Sequence, residues 1–363
     1  MTWCTGLFCS QVRFFVATVM MAAVTVVCSG ITLAQETRSV SPKVVPMPHT
    51  PVIFDTDLGN DVDDALAMSM LHSLESRGYC RLIAVTSTKD HLTSIALADA
   101  INTFYGRPDV PLGAVRDGKT PEEGFAWVAG IRDNGKLRYP HDADGVTVQD
   151  AITVLRRALA AESDGSVVVI QVGFFTNLAR LLDSPADDIS PLTGRELVAK
   201  KVKYLSAMAG VFHSFHEGER LVDHHLEFNV VMDVPAAQRL AAEWPVPIVW
   251  SGFEIGIAVL YPWTSIERDF SYAEHHPCVD AFNVYLPPPY DRPTWDLTSV
   301  LYGVLPDRDY FELSASGCVV VEDDGFTVWT PQENGRDRYL ILSNDGMKSR
   351  VLEALIQLAT QQP

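Results

Sequence analysis

Apolar and polar positions fall along the chain in blocks that read as strand followed by helix, several times over. Pro51-Val52-Ile53-Phe54 is a short apolar run, and Ala65-Leu66-Ala67-Met68-Ser69-Met70-Leu71 downstream of it is made largely of helix formers. Arg81 to Thr86 predicts a second strand, Leu92 to Tyr105 an amphipathic helix closed by Gly106-Arg107-Pro108, and Val110 to Val115 the next strand. The helix Ala151 to Ala161 leads through Asp164-Gly165 into Val167-Val168-Val169-Ile170, whose uninterrupted apolar character predicts a strand buried on both faces. Glu196 to Tyr204 leads similarly into Leu205-Ser206-Ala207-Met208, and Ala236 to Trp244 into Pro247-Ile248-Val249-Trp250. This alternation predicts an α/β fold with a mostly parallel open sheet and helices on both faces.

After residue 306 the pattern changes. Cys318 to Val321, Asp323-Asp324-Gly325 and Phe326 to Trp329 read as a β-hairpin, followed by a helix from Lys348 to Ala359. The hairpin is expected as a C-terminal appendage of one domain spanning residues 51–363, and no internal repeat is apparent.

The N-terminus is of another kind. Arg13 precedes the uncharged apolar run Phe14 to Val27, and Thr32-Leu33-Ala34 offers small residues for cleavage before Gln35. Residues 1–34 read as a signal peptide, with an uncleaved anchor as the alternative, and residues 35–50 as a flexible, proline-containing lead-in. A periplasmic or secreted location follows. Cys28, preceded by Val26 and Val27, is not framed like a lipid-acylation site.

The formal charge of the chain is −18, and cleavage after Ala34 removes one basic and no acidic residue, leaving 27 minus 46, or −19. Such acidity argues against nucleic-acid polymers and anionic lipid as partners, since both would be repelled at low salt, and leaves a small neutral substrate open. Cys80, Cys278 and Cys318 survive cleavage; three cysteines do not make a disulfide framework, although one bridge is open to them.

Chemistry concentrates between Asp55 and Asp64, where the chain reads DTDLGNDVDD, five carboxylates without a lysine or arginine. Two carboxylates about 4 Å apart repel by about 4 kcal/mol at an effective dielectric near 20, so such a loop calls for a cation or for protonation. The loop joins a strand to a helix, the place where open α/β sheets bind ligands, and Gly59 gives the turn its freedom. Asp63 and Asp64 would enter the first helical turn, at the positive end of its dipole. An acidic cap on a solvated face accounts for one or two of these acids, not five. Oxygen donors without Cys or His favour Ca²⁺ or Mg²⁺ over Zn²⁺. An EF-hand fails, because its Gly and Glu positions would fall on Asn60 and Leu66. A phosphatase with Asp55 as nucleophile and Asp57 beside it competes, though Gly59 stands where that pattern wants Thr or Val.

The string DTDLGNDVDDALA after an apolar strand resembles the inosine-uridine-preferring nucleoside hydrolase family. Further landmarks follow in order: Ile170-Gln171-Val172-Gly173-Phe174-Phe175-Thr176-Asn177, Met208-Ala209-Gly210, Glu227-Phe228-Asn229 and Trp295-Asp296, covering about residues 51–305. The resemblance implies a Rossmann-like fold and hydrolysis of the N-glycosidic bond of ribonucleosides or a related N-ribosyl compound, in purine or pyrimidine salvage. It implies Ca²⁺ held by Asp57, Asp64, Asp296 and the carbonyl of Val172, with Asp57 as general base on a water at the ion. By the same resemblance Asp63 would accept ribose hydroxyls, Glu227 and Asn229 would bind the 5′-hydroxyl, and Met208 would pack against the sugar. Relatives of this type usually form homo-oligomers. For Asp55 and Asp61 we expect a supporting role, holding the loop through backbone hydrogen bonds.

The chain departs from the family pattern at three places. Trp295 stands where a proton-donating His is usual, Ser87-Thr88-Lys89-Asp90 replaces a Gly-Asn pair, and Leu221-Val222-Asp223-His224-His225 lacks an Asn. Indole is not an acid, so Trp295 would instead stack on the base or wall the pocket. His213, His216, His224 and His225 offer a replacement acid, and Glu254 a further pocket residue. These departures also admit a secreted Ca²⁺-dependent sugar-binding protein without turnover.

Overall fold

The computed structural model describes residues 49–363, so the signal-peptide reading and most of the lead-in lie outside the described residues. Eleven strands form one sheet. In chain order they are β1 (Thr50–Thr56), β2 (Cys80–Lys89), β3 (Leu112–Lys119), β4 (Gln149–Asp150), β5 (Val167–Gln171), β6 (Val202–Met208), β7 (Ile248–Ser251), β8 (Glu312–Leu313), β9 (Gly317–Val321), β10 (Thr327–Pro331) and β11 (Asp337–Ile341). The spatial order is β10-β9-β11-β7-β6-β5-β1-β2-β3-β4, with β8 on the side of β11. All pairs from β11 through β7 to β4 are parallel, while the hairpin β9-β10 and strand β8 add antiparallel edges.

Alternation along the strands feeds two cores. Val52 and Phe54 pack on one face and Ile53 on the other. The first face is covered by α1 (Asp63–Ser76), α2 (Leu92–Phe104) and the helices Pro277–Tyr285, Trp295–Val304 and Asp345–Ala359. Ala151–Ala161, Thr176–Asp183, Gly194–Lys201 and Val234–Glu243 cover the second. Helix α1 is buried from Asp63 to Leu74, which explains why its sequence is apolar nearly all round.

Boundaries shift at a few places. The third strand begins at Leu112 instead of Val110, and Val202 to Tyr204, expected as helix, already belong to β6. The last helix starts at Asp345, where Asn344 caps it by accepting from the Met347 amide. The hairpin is present, and it reaches the sheet through β11, a strand the apolar pattern does not announce. Cys80, Cys278 and Cys318 are free thiols. Among the described residues no helix is long and apolar enough to cross a membrane.

The chain winds outward from β1 to β2 and β3, then returns to place β5 on the other side of β1. A crevice opens at such a reversal, beyond the carboxyl ends of the strands. Register pairs Asp55 with Gln171, Gln171 with Ala207 and Met208 with Ser251, so Asp57, Val172 and Met208 come to that edge together.

Candidate active site

A small pocket of about 110 Å³ lies there, lined by Asp57, Asp61, Asp63, Asp64, Val172, Met208, Glu227, Phe228, Asn229, Phe253, Trp295 and Asp296. The residues that the family resemblance named, Asp57, Asp63, Asp64, Val172, Met208, Glu227, Asn229, Trp295 and Asp296, are among them, whereas Glu254 and the loop histidines are not. The acidic loop turns at Gly59, whose φ of +114° an L side chain rarely adopts and whose missing Cβ leaves room for Ala126 and Lys89. Gly173 serves differently: a Cβ there would stand 2.6 Å from the Asp57 amide nitrogen and would strike the Thr88 hydroxyl. The strand ends can converge on Asp57 only because this position is bare.

Each carboxylate has its own support. Asp57 Oδ2 accepts the Asn60 side-chain amide at 2.9 Å, and Lys89 Nζ, itself buried, donates to Asn60 Oδ1 at 2.7 Å. Asp64 takes the Thr56 hydroxyl on Oδ1, while its buried Oδ2 has no hydrogen-bond partner. Asp63 accepts the Asp296 amide at 3.0 Å and faces Arg292 at 3.5 Å, and Arg292 also forms an ion pair with Asp61. Glu227 accepts three backbone amides, those of Asn229, Val230 and Gly210, and so caps the short helix Phe228–Met232 while its carboxyl lines the pocket. Asn229 Nδ2 donates to the carbonyls of Val172 at 2.8 Å and Met208 at 3.1 Å, tying two strand ends together.

Two expectations are corrected. The Asp55 carbonyl oxygen does accept backbone amides, those of Val172 at 2.8 Å and Gly173 at 3.3 Å, but its side chain takes none. Its Oδ1 accepts Thr86 Oγ1 at 2.5 Å and Asn177 Nδ2 at 2.8 Å, bracing β1 against β2 and the following helix. Being fully buried there, it is not placed as a phosphatase nucleophile. Asp61 does accept the Val62 amide, yet it also stands on the pocket wall. Glu254 is turned away to the Phe212 amide and does not line the pocket.

Burial and mutual repulsion hold Asp55, Asp57, Asp61, Asp64, Asp296 and Glu227 above their ordinary range. Burial raises Asp55 to about 7, Asp57 to about 6 and Glu227 to about 7, and it lifts Asp61, Asp64 and Asp296 well up, with the neighbouring aspartates adding to the effect. Among the described residues, the cations that reach the cluster are Arg292 and Lys89, against seven carboxylates counting Asp55 and Glu227. Neither cation was singled out from the sequence. Lys89 lies in the segment that replaces the expected Gly-Asn pair, and Arg292 lies three positions before Trp295, its guanidinium 5.0 Å from the Trp295 ring centre and 4.9 Å from that of Tyr285.

The family is settled by comparison. A family model described as inosine-uridine preferring nucleoside hydrolase matches residues 52–328. The chain belongs to this family. It is a hydrolase of N-glycosyl bonds, as the family is. A plant nucleoside hydrolase and an inosine-uridine preferring nucleoside hydrolase from Bacillus anthracis share the fold, each 20% identical with a TM-score of 0.63, covering 86% of this chain and 99% of their own. The type III effector XopQ, solved with adenosine diphosphate ribose, also shares it at 14% identity and a TM-score of 0.63, over 87% of this chain and 94% of that one. Comparison with curated proteins by sequence returns no match.

Nucleoside hydrolases are metal-dependent as a family. Among the described residues no three His, Cys, Asp or Glu side chains stand closed into a metal-binding set. The donors nevertheless fit a hard divalent cation: Asp57, Asp64 and Asp296 meet at one pocket, the buried Asp64 Oδ2 is unpartnered, and Arg292 and Lys89 compensate only part of the charge of the cluster.

Proposed function

We propose that the chain hydrolyses the N-glycosidic bond of ribonucleosides or a closely related N-ribosyl compound, with Asp57 as general base. The reading rests on one observation: Asp57, Asp63, Asp64, Asp296, Glu227 and Asn229 share a pocket with Met208 and Trp295. Asp57, Asp64, Asp296 and the Val172 carbonyl would hold Ca²⁺, which when bound supplies positive charge that acidifies a water and orients sugar hydroxyls. Asp57 takes the proton as the water attacks the anomeric carbon. Asn60 fixes its Oδ2, leaving Oδ1 as the basic oxygen, and a value raised to about 6 suits proton exchange near neutrality.

Asp63 accepts the vicinal hydroxyls of the ribose, and Glu227 and Asn229 bind its 5′-hydroxyl while Met208 packs on the ring. Trp295 is a wall of the pocket. Its indole N–H donates to the Phe253 carbonyl at 2.9 Å, so the ring is locked in place. With residues 1–34 read as a signal peptide, the reaction occurs outside the cytoplasm and serves the salvage of bases.

Release of reducing ribose from a panel of nucleosides tests this. We expect release with Ca²⁺, none with chelator, and a loss of about 10²–10⁴-fold on Asp57→Ala. Release unaffected by that substitution overturns the assignment of the base, and ribose binding without release from any nucleoside replaces the hydrolase reading with the sugar-binding one.

A further inference from the structure

The pocket holds a sugar and little else. At about 110 Å³ it is well under the roughly 300–1,000 Å³ of sites that enclose a whole drug-sized ligand. Its lining sets five aspartates and Glu227 beside an apolar wall of Phe228, Phe253 and Trp295. A base joined to the anomeric carbon of a seated ribose must project past that wall.

Departure of the base leaves an electron pair on its ring nitrogen, and a proton donor beside it lowers the barrier. The groups of the pocket do not supply one. The Trp295 N–H is engaged by a carbonyl, both Glu227 oxygens accept backbone amides, and Asp61 is paired with Arg292. The loop histidines are held differently from one another. His224 stacks on Phe326 and faces Asp324, His213 packs edge-on against Tyr339, and His216 lies exposed on the short hairpin strand Phe215–Glu217. His225 alone of the four joins the aromatic wall: its ring is 4.2 Å from that of Phe253, which is 5.0 Å from Trp295. Among the described residues neither ring nitrogen of His225 has a hydrogen-bond partner in the protein.

We propose that His225 is the residue that meets the leaving base, donating a proton to it from the rim of the pocket. This rests on the hydrolase reading above. As the C–N bond breaks, its electron pair goes to the base nitrogen, which takes the imidazolium proton; the water adds to the anomeric carbon and gives its proton to Asp57. Both groups then return to their starting states by exchange with solvent, which reaches His225 on its half-buried side. Partial desolvation by the aromatic rings lowers the pKa of the imidazole, against the opposing pull of Glu217, and so makes its protonated form the stronger acid.

The test compares two leaving groups on the full chain with Ca²⁺: a purine nucleoside, whose base needs a proton, and 4-nitrophenyl riboside, whose phenolate leaves unaided. His225→Gln keeps a polar side chain and His225→Phe keeps the stack on Phe253; neither can donate an acidic proton. Both are expected to lose about 10²-fold or more in kcat on the nucleoside and to keep kcat on the aryl riboside within about threefold. His216→Gln is the control and changes neither. Equal losses on both substrates assign His225 a structural role and overturn the proposal, as does undiminished turnover of the nucleoside. A wild-type chain that releases neither leaving group overturns the hydrolase reading itself, a result distinct from either of these.

Discussion

Raising the pH of the metal-free protein should weaken it, and the structure indicates by how much. Asp55 is fully buried and its pKa rises from 3.8 to about 7, chiefly through desolvation. Between those values the folded chain keeps a proton that the unfolded chain has lost, so stability falls with rising pH by about 1.4 kcal/mol per unit for each such group. The stabilisation is therefore complete below about pH 4 and gone once the pH has passed 7. Over roughly three pH units Asp55 accounts for about 4 kcal/mol, and Glu227, raised from 4.5 to about 7, for about 3 more. Together they rival the 5–15 kcal/mol that holds a typical domain folded, and relaxation around the ionised groups makes the sum an upper bound. Asp57, Asp61, Asp64 and Asp296 all act with the same sign. Guanidinium denaturation at pH 5, 6, 7 and 8 should show the midpoint falling steadily in chelator and much less with Ca²⁺, which favours the ionised acids. Asp55→Asn should flatten the chelator series by removing its share. A metal-free midpoint that is level or rises from pH 5 to 8 would refute the reasoning.

Two further outcomes follow from the packing. Gly173→Ala should push on the Asp57 backbone, 2.6 Å from the added Cβ, and lower kcat/KM by about 10²-fold while melting temperature falls only modestly; unchanged kinetics would show that the strand ends have slack. Arg292→Met removes the cation that faces both Asp61 and the buried Asp63, and should destabilise the metal-free chain by about 3–5 kcal/mol at pH 8 and less at pH 5, read from denaturation curves.

Much of the fold was legible because parallel strands buried on both faces leave continuous apolar runs. Val167 to Ile170 and Ile248 to Trp250 are such runs, and both are central strands. Strand β11 hides for the opposite reason. It opens with Asp337 and Arg338, two charged residues outside any apolar run, yet Asp337 is buried and accepts the Val319 amide at 2.8 Å, so its polarity serves the junction with the hairpin. The helix Gly194–Lys201 ends earlier than its pattern suggests, since Val202 and Tyr204 enter β6 and Tyr204 is half-buried against the Trp295–Val304 helix, donating to the Gly303 carbonyl.

The site divides along a similar line. Its carboxylates were legible because five of them sit within ten residues, and repulsion between neighbours can be counted along the chain. Their counter-charges were not, since Lys89 and Arg292 come from segments 25 or more positions away and act through space. In sequence Lys89 looks like a solvated loop residue; in the fold it is buried, its charge acts on Asp57, and its hydrogen-bond link to that acid runs through Asn60. Local charge counting therefore overstates the deficit that a metal has to meet, but it does not reverse it. Two cations against seven carboxylates still leave Asp64 and Asp296, which line the same pocket, with no ion-pair partner among the described residues, and those are the acids, with Asp57, that we propose as ligands of a metal ion.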